Sequence, residues 1–278
     1  MMTYREEYEN GVNKLSQSHI IDYKLDARLL LEWVCSTSRH DLIVNPDRVI
    51  AAEEHKLYEE LIAKRASHYP LQYIIGKQEF MGLDFEVNES VLIPRQDTEF
   101  VVEEALFHVH DGMSVLDMCT GSGCMLISIM KYKNNCEGLG VDISEDALPV
   151  ARKNAIYNEV PAQFIRSDLY EEVSGKYDVI VSNPPYIRSS IIPSLMKEVK
   201  DNEPIIALDG YEDGLYFYKK IIEGSKEHLK IGGYLIFEIG HDQGKDVSES
   251  MIDSGYKNVE VKKDYAGNDR VVKGYFVK

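Results

Sequence analysis

The tetrapeptide Asn183-Pro184-Pro185-Tyr186 has the clearest capacity for chemistry in this 278-residue chain. It follows residues 178–182, an apolar run that is typical of a buried strand. Two successive prolines fix φ and remove two backbone donors, so carbonyl acceptors and the Asn183 side-chain oxygen remain. These acceptors match the hydrogens of a planar –NH₂ group, and Tyr186 offers an aromatic face. The tetrapeptide therefore predicts a substrate-binding grip on an amide or amine nitrogen, with catalytic roles for Asn183, Pro184 and Tyr186.

The chemistry of such a nitrogen sets what the protein has to supply. Its lone pair is delocalised, so it needs orientation and electrostatic help more than a strong base. The sulfonium of S-adenosylmethionine carries an activated methyl group that suits a nucleophile of this kind. The proton can leave after transfer, when the nitrogen has become far more acidic. We therefore predict N-methyl transfer and assign no general base.

A candidate cofactor site lies upstream of this grip. A glycine-containing turn joins a strand to a helix, where backbone N–H groups can approach a ligand. Asp142 ends the next strand about twenty residues later and is placed to accept ribose hydroxyls, and Asp168 follows a third strand near the position expected for adenine. Taken alone, the turn could serve only chain reversal and Asp168 could be a cap. Together they predict an adenosine cofactor bound by Cys119, Thr120, Gly121, Ser122, Gly123, Asp142 and Asp168, with Asn183 beside it.

Alternating patterns from residue 98 onward describe the elements that position these residues. Short β-rich runs alternate with helical periodicity, which predicts a mostly parallel sheet with helices on both faces. The predicted helices are 99–110, 122–133, 144–158, 213–229 and 243–254. The predicted strands are 114–117, 139–142, 163–166, 178–182, 234–238, 258–263 and 271–277.

The region before residue 98 has a different character. Residues 1–72 carry apolar side chains at helical spacing, with Asp22 and Asp47 as expected N-caps and Pro70 ending the last helix. This region has no constellation that could do chemistry, so we expect it to dock a substrate. Residues 73–97 read as a β-hairpin linker. Residues 98–278 form the expected catalytic domain.

Composition narrows the class of partner. Lys and Arg number 31 against 47 Asp and Glu, a net charge of −16 that would repel a phosphate backbone. A protein partner is therefore favoured, and no direct nucleic-acid binding is expected. The four cysteines form no CxxC pair and no metal site is predicted. With no apolar run of membrane-spanning length and no signal peptide, the sequence predicts a cytoplasmic location.

Several stretches from residue 70 onward, taken together, resemble one family. They are PLQYIIG (70–76), VLIPRQDTE (91–99), the glycine loop, SDLY (167–170), VSNPPYI (181–187), NEPIIALDGYEDGL (202–215), GGYLIFEIG (232–240) and DRVVKGY (269–275). In this order and density they resemble the release-factor glutamine N5-methyltransferases (the PrmC or HemK family). The resemblance implies a Rossmann-like α/β domain with a seven-stranded, mostly parallel sheet, preceded by a small helical domain and a hairpin.

The same resemblance implies a substrate and several residue roles. The target would be the glutamine amide in the Gly-Gly-Gln motif of class I peptide-chain release factors, and its methylation would tune translation termination. Separately from the resemblance, we expect a monomer. Leu169 would lie with Asp168 beside the adenine, and Arg95 and Glu203 would brace the pocket. Cys119 stands where the family usually has glycine, and Leu169 where it usually has an aromatic residue. Both departures predict weaker cofactor binding.

Three alternatives remain on sequence grounds. The same tetrapeptide grips adenine N6 or guanine N2 in nucleic acid, which makes a nucleic-acid N-methyltransferase the nearest rival. A non-catalytic binding protein is disfavoured by the intact tetrapeptide and Asp142. A dehydrogenase is disfavoured because bulky residues at 125–127 leave no room for a pyrophosphate loop.

Overall fold

Two compact units make up the part of the chain that this computed structural model describes, residues 2–277. One unit holds the residues up to Gly76 together with Met196–Asn202. The other holds Lys77–Leu195 and Glu203 onward. Within residues 2–277, no helix has the length and apolar character that crossing a membrane requires.

The first unit is built from helices, with one isolated β-bridge between Thr3 and Val49. Its core is formed by buried aliphatic residues and Tyr58, whose hydroxyl donates to the Ala27 carbonyl. Thr3 caps the first helix through a reciprocal pair of hydrogen bonds with Glu6, which satisfies two free backbone donors. The helices are α1 (Tyr4–Gln17), α2 (Tyr23–Val34), α3 (Arg39–Val44), α4 (Ala52–Ala66), α5 (Leu71–Ile75) and α9 (Lys197–Asn202).

Three details of this unit differ from the sequence expectations. Asp22 occupies the N-cap position of α2, but its side chain makes no capping hydrogen bond. Asp47 caps nothing, because α4 begins only at Ala52. Pro70 does not end α4, which stops at Ala66; it precedes α5, where its missing N–H costs nothing.

A buried arginine joins three segments of the helical unit. Arg65 donates to Asp26 on α2 at 2.7 Å and to Glu198 on α9 at 2.6 Å. Two carboxylates around one guanidinium compensate the cost of burying the charge. This arrangement fixes the distant segment Met196–Asn202 within the helical unit, which no local sequence pattern indicated.

The second unit contains a seven-stranded sheet in the order β5-β4-β3-β6-β7-β9-β8. All neighbours are parallel except β9, which runs antiparallel to β7 and β8. The strands are β3 (Ser114–Met118), β4 (Glu137–Asp142), β5 (Ala162–Arg166), β6 (Tyr177–Ser182), β7 (Leu229–Glu238), β8 (Lys257–Lys263) and β9 (Asp269–Tyr275).

Helices cover both faces of this sheet. Successive strand residues point to opposite faces, so Val115 packs into one core cluster and Leu116 into the other. The first cluster includes α6 (Gln96–His108), α7 (Cys124–Tyr132) and α8 (Ala147–Tyr157). The second includes α10 (Tyr216–His228) and α11 (Gly244–Asp253). The predicted fold class, a mostly parallel α/β sheet with a helical N-terminal part and a hairpin, is confirmed.

The hairpin pairs β1 (Lys77–Phe80) with β2 (Leu83–Glu86) around a two-residue turn. Both turn residues, Met81 and Gly82, have positive φ, as a type I′ turn requires. Asn154 on α8 holds the hairpin by accepting from the Glu86 amide at 2.6 Å and donating to its carbonyl at 3.0 Å. The same Asn154 side chain donates to the Ser122 carbonyl at 2.9 Å, so one buried amide ties hairpin, helix and glycine loop together.

Candidate active site

A single cavity gathers most of the predicted site residues at the carboxyl ends of β3, β4, β5 and β6. The chain runs outward from β3 through β4 to β5 and then returns to β6 on the other side of β3. In open parallel sheets, ligands bind at such a reversal of strand order. The predicted site residues that line the cavity are Cys119, Thr120, Gly121, Ser122, Asp142, Asp168, Leu169, Asn183 and Pro185.

A hydrogen bond and close packing fix the backbone of the glycine loop. The Thr120 hydroxyl donates to Asp117 Oδ2 at 2.6 Å, and burial raises the pKa of that carboxyl to about 7. Gly123 has φ +80°, and a Cβ there would lie 3.0–3.3 Å from atoms of Ile127, Phe164 and Ala151. Gly123 therefore serves helix–sheet packing, and it is not among the cavity-lining residues.

Gly121 plays the opposite part in the same loop. Its φ is +54°, and nothing lies within 4 Å of where a Cβ would be. Gly121 is one of the residues that line the cavity. This combination leaves the backbone accessible to a ligand at close range, as a cofactor loop requires.

Cys119 adopts a left-handed conformation, with φ +62°. A residue with a Cβ is disfavoured there by roughly 1–2 kcal/mol. Its side chain is partly buried against the second core cluster and lies in the cavity wall. The departure from glycine at this position is therefore a strained one.

Asp142 lies at the end of β4 with both carboxylate oxygens engaged by backbone N–H groups. Oδ2 accepts from Gly121 at 2.8 Å and Oδ1 accepts from Ser144 at 2.9 Å. Burial raises the pKa of Asp142, while these hydrogen bonds oppose the shift. Each oxygen keeps a second lone pair, so the carboxylate fits two ribose hydroxyls as well.

Asp168 and Leu169 follow β5 at the rim of the cavity. Asp168 is exposed, and Leu169 is partly buried with φ +48°. The Leu169 carbonyl accepts from the Ser167 hydroxyl at 2.8 Å, which fixes this unusual backbone turn. Leu169 presents an aliphatic surface to the cavity where an aromatic ring could have stacked.

Only part of the tetrapeptide after β6 lines the cavity. Asn183 and Pro185 line the cavity, whereas the buried Pro184 does not. Residue pairing places Ser182 beside Met118 of β3, so Asn183 follows next to the glycine loop. The Asn183 side-chain –NH₂ donates to Thr98 Oγ1 at 3.3 Å. An oxygen acceptor is thereby left for the cavity.

The Tyr186 hydroxyl hydrogen-bonds a carboxylate, and the residue does not line the cavity. The hydroxyl donates to Glu238 Oε1 at 3.3 Å, the ring packs with the second core cluster, and Tyr186 is not a cavity-lining residue. Burial raises the pKa of Tyr186 above its ordinary value. In this geometry Tyr186 supports the strand end; aromatic stacking on a substrate stays a prediction.

Residues 203–217 form the opposite wall of the cavity. Backbone pairing between Ile187 and Leu208–Gly210 brings this segment against the tetrapeptide, and a Cβ on Gly210 would lie 2.7 Å from Tyr186 Cα. An ion pair between Arg95 and Glu203 anchors its beginning at the start of α6. Its cavity-lining residues are Pro204, Ile206, Ala207, Tyr211, Tyr216 and Phe217.

Several functional candidates were not singled out from the sequence. Thr98 and Glu238 connect to Asn183 and Tyr186 by hydrogen bonds, and the apolar wall of residues 204–217 completes the cavity. Thr98 and Glu238 occur inside the stretches VLIPRQDTE and GGYLIFEIG that carried the family resemblance. The signal was present, but no local pattern gave either residue a role.

Comparison with known proteins identifies the family. The family described as PrmC N-terminal domain matches residues 8–76, and the methyltransferase small domain matches residues 97–199. The release factor glutamine methyltransferase of Clostridium acetobutylicum is 44% identical over 257 residues, which cover 90% of each chain. The chain belongs to the release factor glutamine methyltransferase family. It is therefore an S-adenosylmethionine-dependent methyltransferase, as the sequence predicted.

Other relatives extend over nearly the whole chain. The release factor glutamine methyltransferase of Moorella thermoacetica is 39% identical over 280 residues, covering 99% of both chains. The crystal structure of a methyltransferase from Pyrococcus furiosus is similar with a TM-score of 0.55 and 21% identity, covering 80% of this chain and 96% of that one. The second similarity concerns the fold alone.

Proposed function

We propose that the protein transfers a methyl group from S-adenosylmethionine to the side-chain amide nitrogen of the glutamine in the Gly-Gly-Gln motif of class I peptide-chain release factors. The observation that carries the proposal is that Asn183 and Pro185 share one cavity wall with the glycine loop and Asp142. A nitrogen held at Asn183 would lie beside the cofactor loop. Family membership supports glutamine as the owner of that nitrogen.

The residues of the cavity divide the work of the reaction. The Cys119–Gly123 loop would lie against the cofactor, and Asp142 would accept its ribose hydroxyls. Asp168 and Leu169 would lie beside the adenine. When bound, the cofactor supplies an electrophilic methyl group on a sulfonium.

The remaining task is to orient the glutamine amide. The Asn183 side-chain oxygen and the Pro184 carbonyl would accept the two amide hydrogens, with Pro185 and Tyr186 enclosing the group. Accepting both hydrogens raises electron density on nitrogen and turns its lone pair toward the methyl donor. Pro204, Ile206 and Ala207 give the cavity an apolar wall, and exclusion of water by this wall in the complex would strengthen those hydrogen bonds.

We propose a protein substrate rather than nucleic acid, because a net charge of −16 opposes a phosphate backbone. The helical unit would dock the release factor, and residues 98–278 would perform catalysis. We further propose that the enzyme acts as a monomer in the cytoplasm, where release factors encounter the ribosome.

In the decisive experiment, the purified protein is incubated with a radiolabelled methyl donor and, in parallel reactions, with three substrates. These are a release factor, the same factor with Gly-Gly-Gln changed to Gly-Gly-Ala, and bulk RNA. We expect label on the unmodified factor alone. Label on RNA and not on the factor would replace the proposal with methylation of an adenine or guanine amine. Equal labelling of both release factors would place the methyl group on another residue.

A further inference from the structure

A buried carboxylate lies directly behind the tetrapeptide without having an assigned role. Glu238 ends β7, is 2% exposed, and its Oε2 atom has no hydrogen-bond partner among residues 2–277. Burying such a group is unfavourable unless it is compensated. Parallel pairing of Ser182 with Phe237 makes Asn183 and Glu238 the next residues on adjacent strands. The sheet register therefore brings the carboxylate beside the amide grip.

Two hydroxyl groups converge on this carboxylate. Tyr186 donates to Glu238 Oε1 at 3.3 Å, and the Thr98 hydroxyl, which lowers the pKa of Glu238, is the candidate donor for the open Oε2 atom. Thr98 is 3% exposed and accepts from Asn183 Nδ2 at 3.3 Å. A hydrogen bond from Thr98 to that oxygen would complete a chain from Asn183 through Thr98 to Glu238.

The chemistry of the end group sets the direction of this chain. An ionised carboxylate can only accept hydrogen bonds, so in such a chain the single Thr98 hydroxyl proton points toward Glu238. The Thr98 oxygen is then left as an acceptor, and Asn183 must offer it the –NH₂ end of its side chain. The Asn183 oxygen consequently faces the cavity.

We infer that Glu238 and Thr98 are positioning residues that select the orientation of the Asn183 amide, so that an acceptor and not a donor meets the substrate nitrogen. This inference rests on the proposed function. The oxygen and –NH₂ ends of an amide have nearly the same shape, so packing alone selects weakly between them. A flipped Asn183 would oppose its own –NH₂ to that of the substrate, and neither could accept.

The charged and titratable groups around Glu238 determine the pH at which the hydrogen bonds from Asn183 through Thr98 to Glu238 can reverse their direction. Burial raises the pKa of Glu238 to about 7; Thr98, Arg270 on β9 and Tyr186 oppose that shift, and Asp97 on α6 adds to it. The Tyr218 hydroxyl on α10 donates to the Glu238 backbone carbonyl at 2.9 Å. Once protonated, Glu238 can donate to Thr98, and Thr98 can then donate to a flipped Asn183. Turnover should therefore fall as pH drops through about 7.

The test uses three variants of the full-length protein with a release factor as substrate. Thr98→Val keeps the shape and removes the relay, Thr98→Ser restores the hydroxyl, and Glu238→Gln replaces the acceptor-only group with one that can also donate. Ser128→Ala is the matched control, because Ser128 is a fully buried hydroxyl without a partner among the described residues. Measured quantities are kcat, KM, cofactor Kd by calorimetry, and kcat against pH.

We expect Thr98→Val and Glu238→Gln to lower kcat by about 10–100-fold, the scale of one misdirected hydrogen bond in a transition state. Cofactor Kd should stay within about 3-fold, since Asp142 and the glycine loop remain intact. Thr98→Ser and Ser128→Ala should retain kcat. Glu238→Gln should also lose the decline of kcat at low pH.

Separate outcomes would overturn the inference and the proposed function. Wild-type protein that leaves the release factor unlabelled contradicts the proposed function. Active wild type together with a folded Thr98→Val of normal kcat contradicts the inference, as does a Glu238→Gln variant with an unchanged pH profile. If Glu238→Gln does not fold, the pair Thr98→Val and Thr98→Ser decides: equal kcat in both overturns the inference, and rescue by serine supports it.

Discussion

The two ends of the cavity are built on different principles. At the end that we propose binds the cofactor, the backbone of the glycine loop lines the cavity together with Asp142, whose carboxylate accepts from the Gly121 N–H. At the end that we propose binds the nitrogen, the Asn183 side chain lines the cavity and donates to Thr98, and Tyr186 donates to Glu238. Backbone-built sites tolerate side-chain changes, whereas a site that depends on one oriented amide does not.

The family resemblance indicated two departures from the residues that are usual in the family. Both unusual residues, Cys119 and Leu169, lie at the cofactor end, and both hold positive φ. The tetrapeptide at the nitrogen end is intact. We expect substitutions at the cofactor end to change affinity in modest steps and those at the nitrogen end to change turnover steeply.

The largest effect is expected for Asn183→Ala. Removing the acceptor should lower kcat by roughly 10²–10³ while cofactor Kd changes only a few-fold, because the lost hydrogen bond acts mainly in the transition state. Steady-state kinetics with a release factor and calorimetry with the cofactor measure the two quantities. Near-normal kcat in this variant would remove the distinction between the two ends.

Asp142→Asn tests the carboxylate that we propose binds the ribose of the cofactor. An asparagine keeps the shape but offers a single acceptor oxygen, so it cannot serve Gly121, Ser144 and two ribose hydroxyls together. We expect cofactor Kd to rise by about 10–100-fold, corresponding to one or two lost hydrogen bonds to a charged group. Asp146→Asn, at an exposed position without a capping hydrogen bond, is the control and should leave Kd unchanged.

Leu169→Phe should improve the cofactor end. An aromatic ring at this cavity position would stack on adenine and tighten cofactor Kd by about 2–10-fold, from the 0.5–1.5 kcal/mol typical of such contacts. Calorimetry with the methyl donor measures the change. Ile156→Phe, at an exposed position of α8 that does not line the cavity, should have no effect. Weaker binding in Leu169→Phe would mean that the adenine lies elsewhere.

Cys119→Gly should give the smallest of these effects, and the quantity that changes should be the free energy of unfolding. Releasing the left-handed strain at φ +62° should add about 0.5–1 kcal/mol to the free energy of unfolding, after the entropic cost of glycine. Thermal denaturation should show a rise in Tm of about 1–4 °C for a protein of this size. Cys35→Gly, at a position with φ −90°, is the contrasting variant and should show no gain.

Much of the fold followed from local patterns. Strands β3, β4, β5 and β6 lie within one or two residues of their predicted bounds, because buried parallel strands are short, apolar and bounded by turn residues. Two helices begin at residues other than those predicted. Helix α6 begins at Gln96 instead of residue 99, which places Thr98 inside the helix, and α10 begins at Tyr216 instead of residue 213. Helix ends are set by which backbone groups find partners, and apolar spacing does not report that.

The sequence alone determined the class of chemistry and the loops that carry it. Glycine turns, strand-end acids and the double proline are local features, and a local pattern constrains the backbone that contains it. Only the tertiary structure decided that Asn183 hydrogen-bonds Thr98, 85 positions away, and that Tyr186 hydrogen-bonds Glu238. It also decided that Cys119 is strained and that residues 204–217 form the second wall. These depend on sheet register and chain crossing, which bring distant side chains together and which no periodicity along the chain encodes.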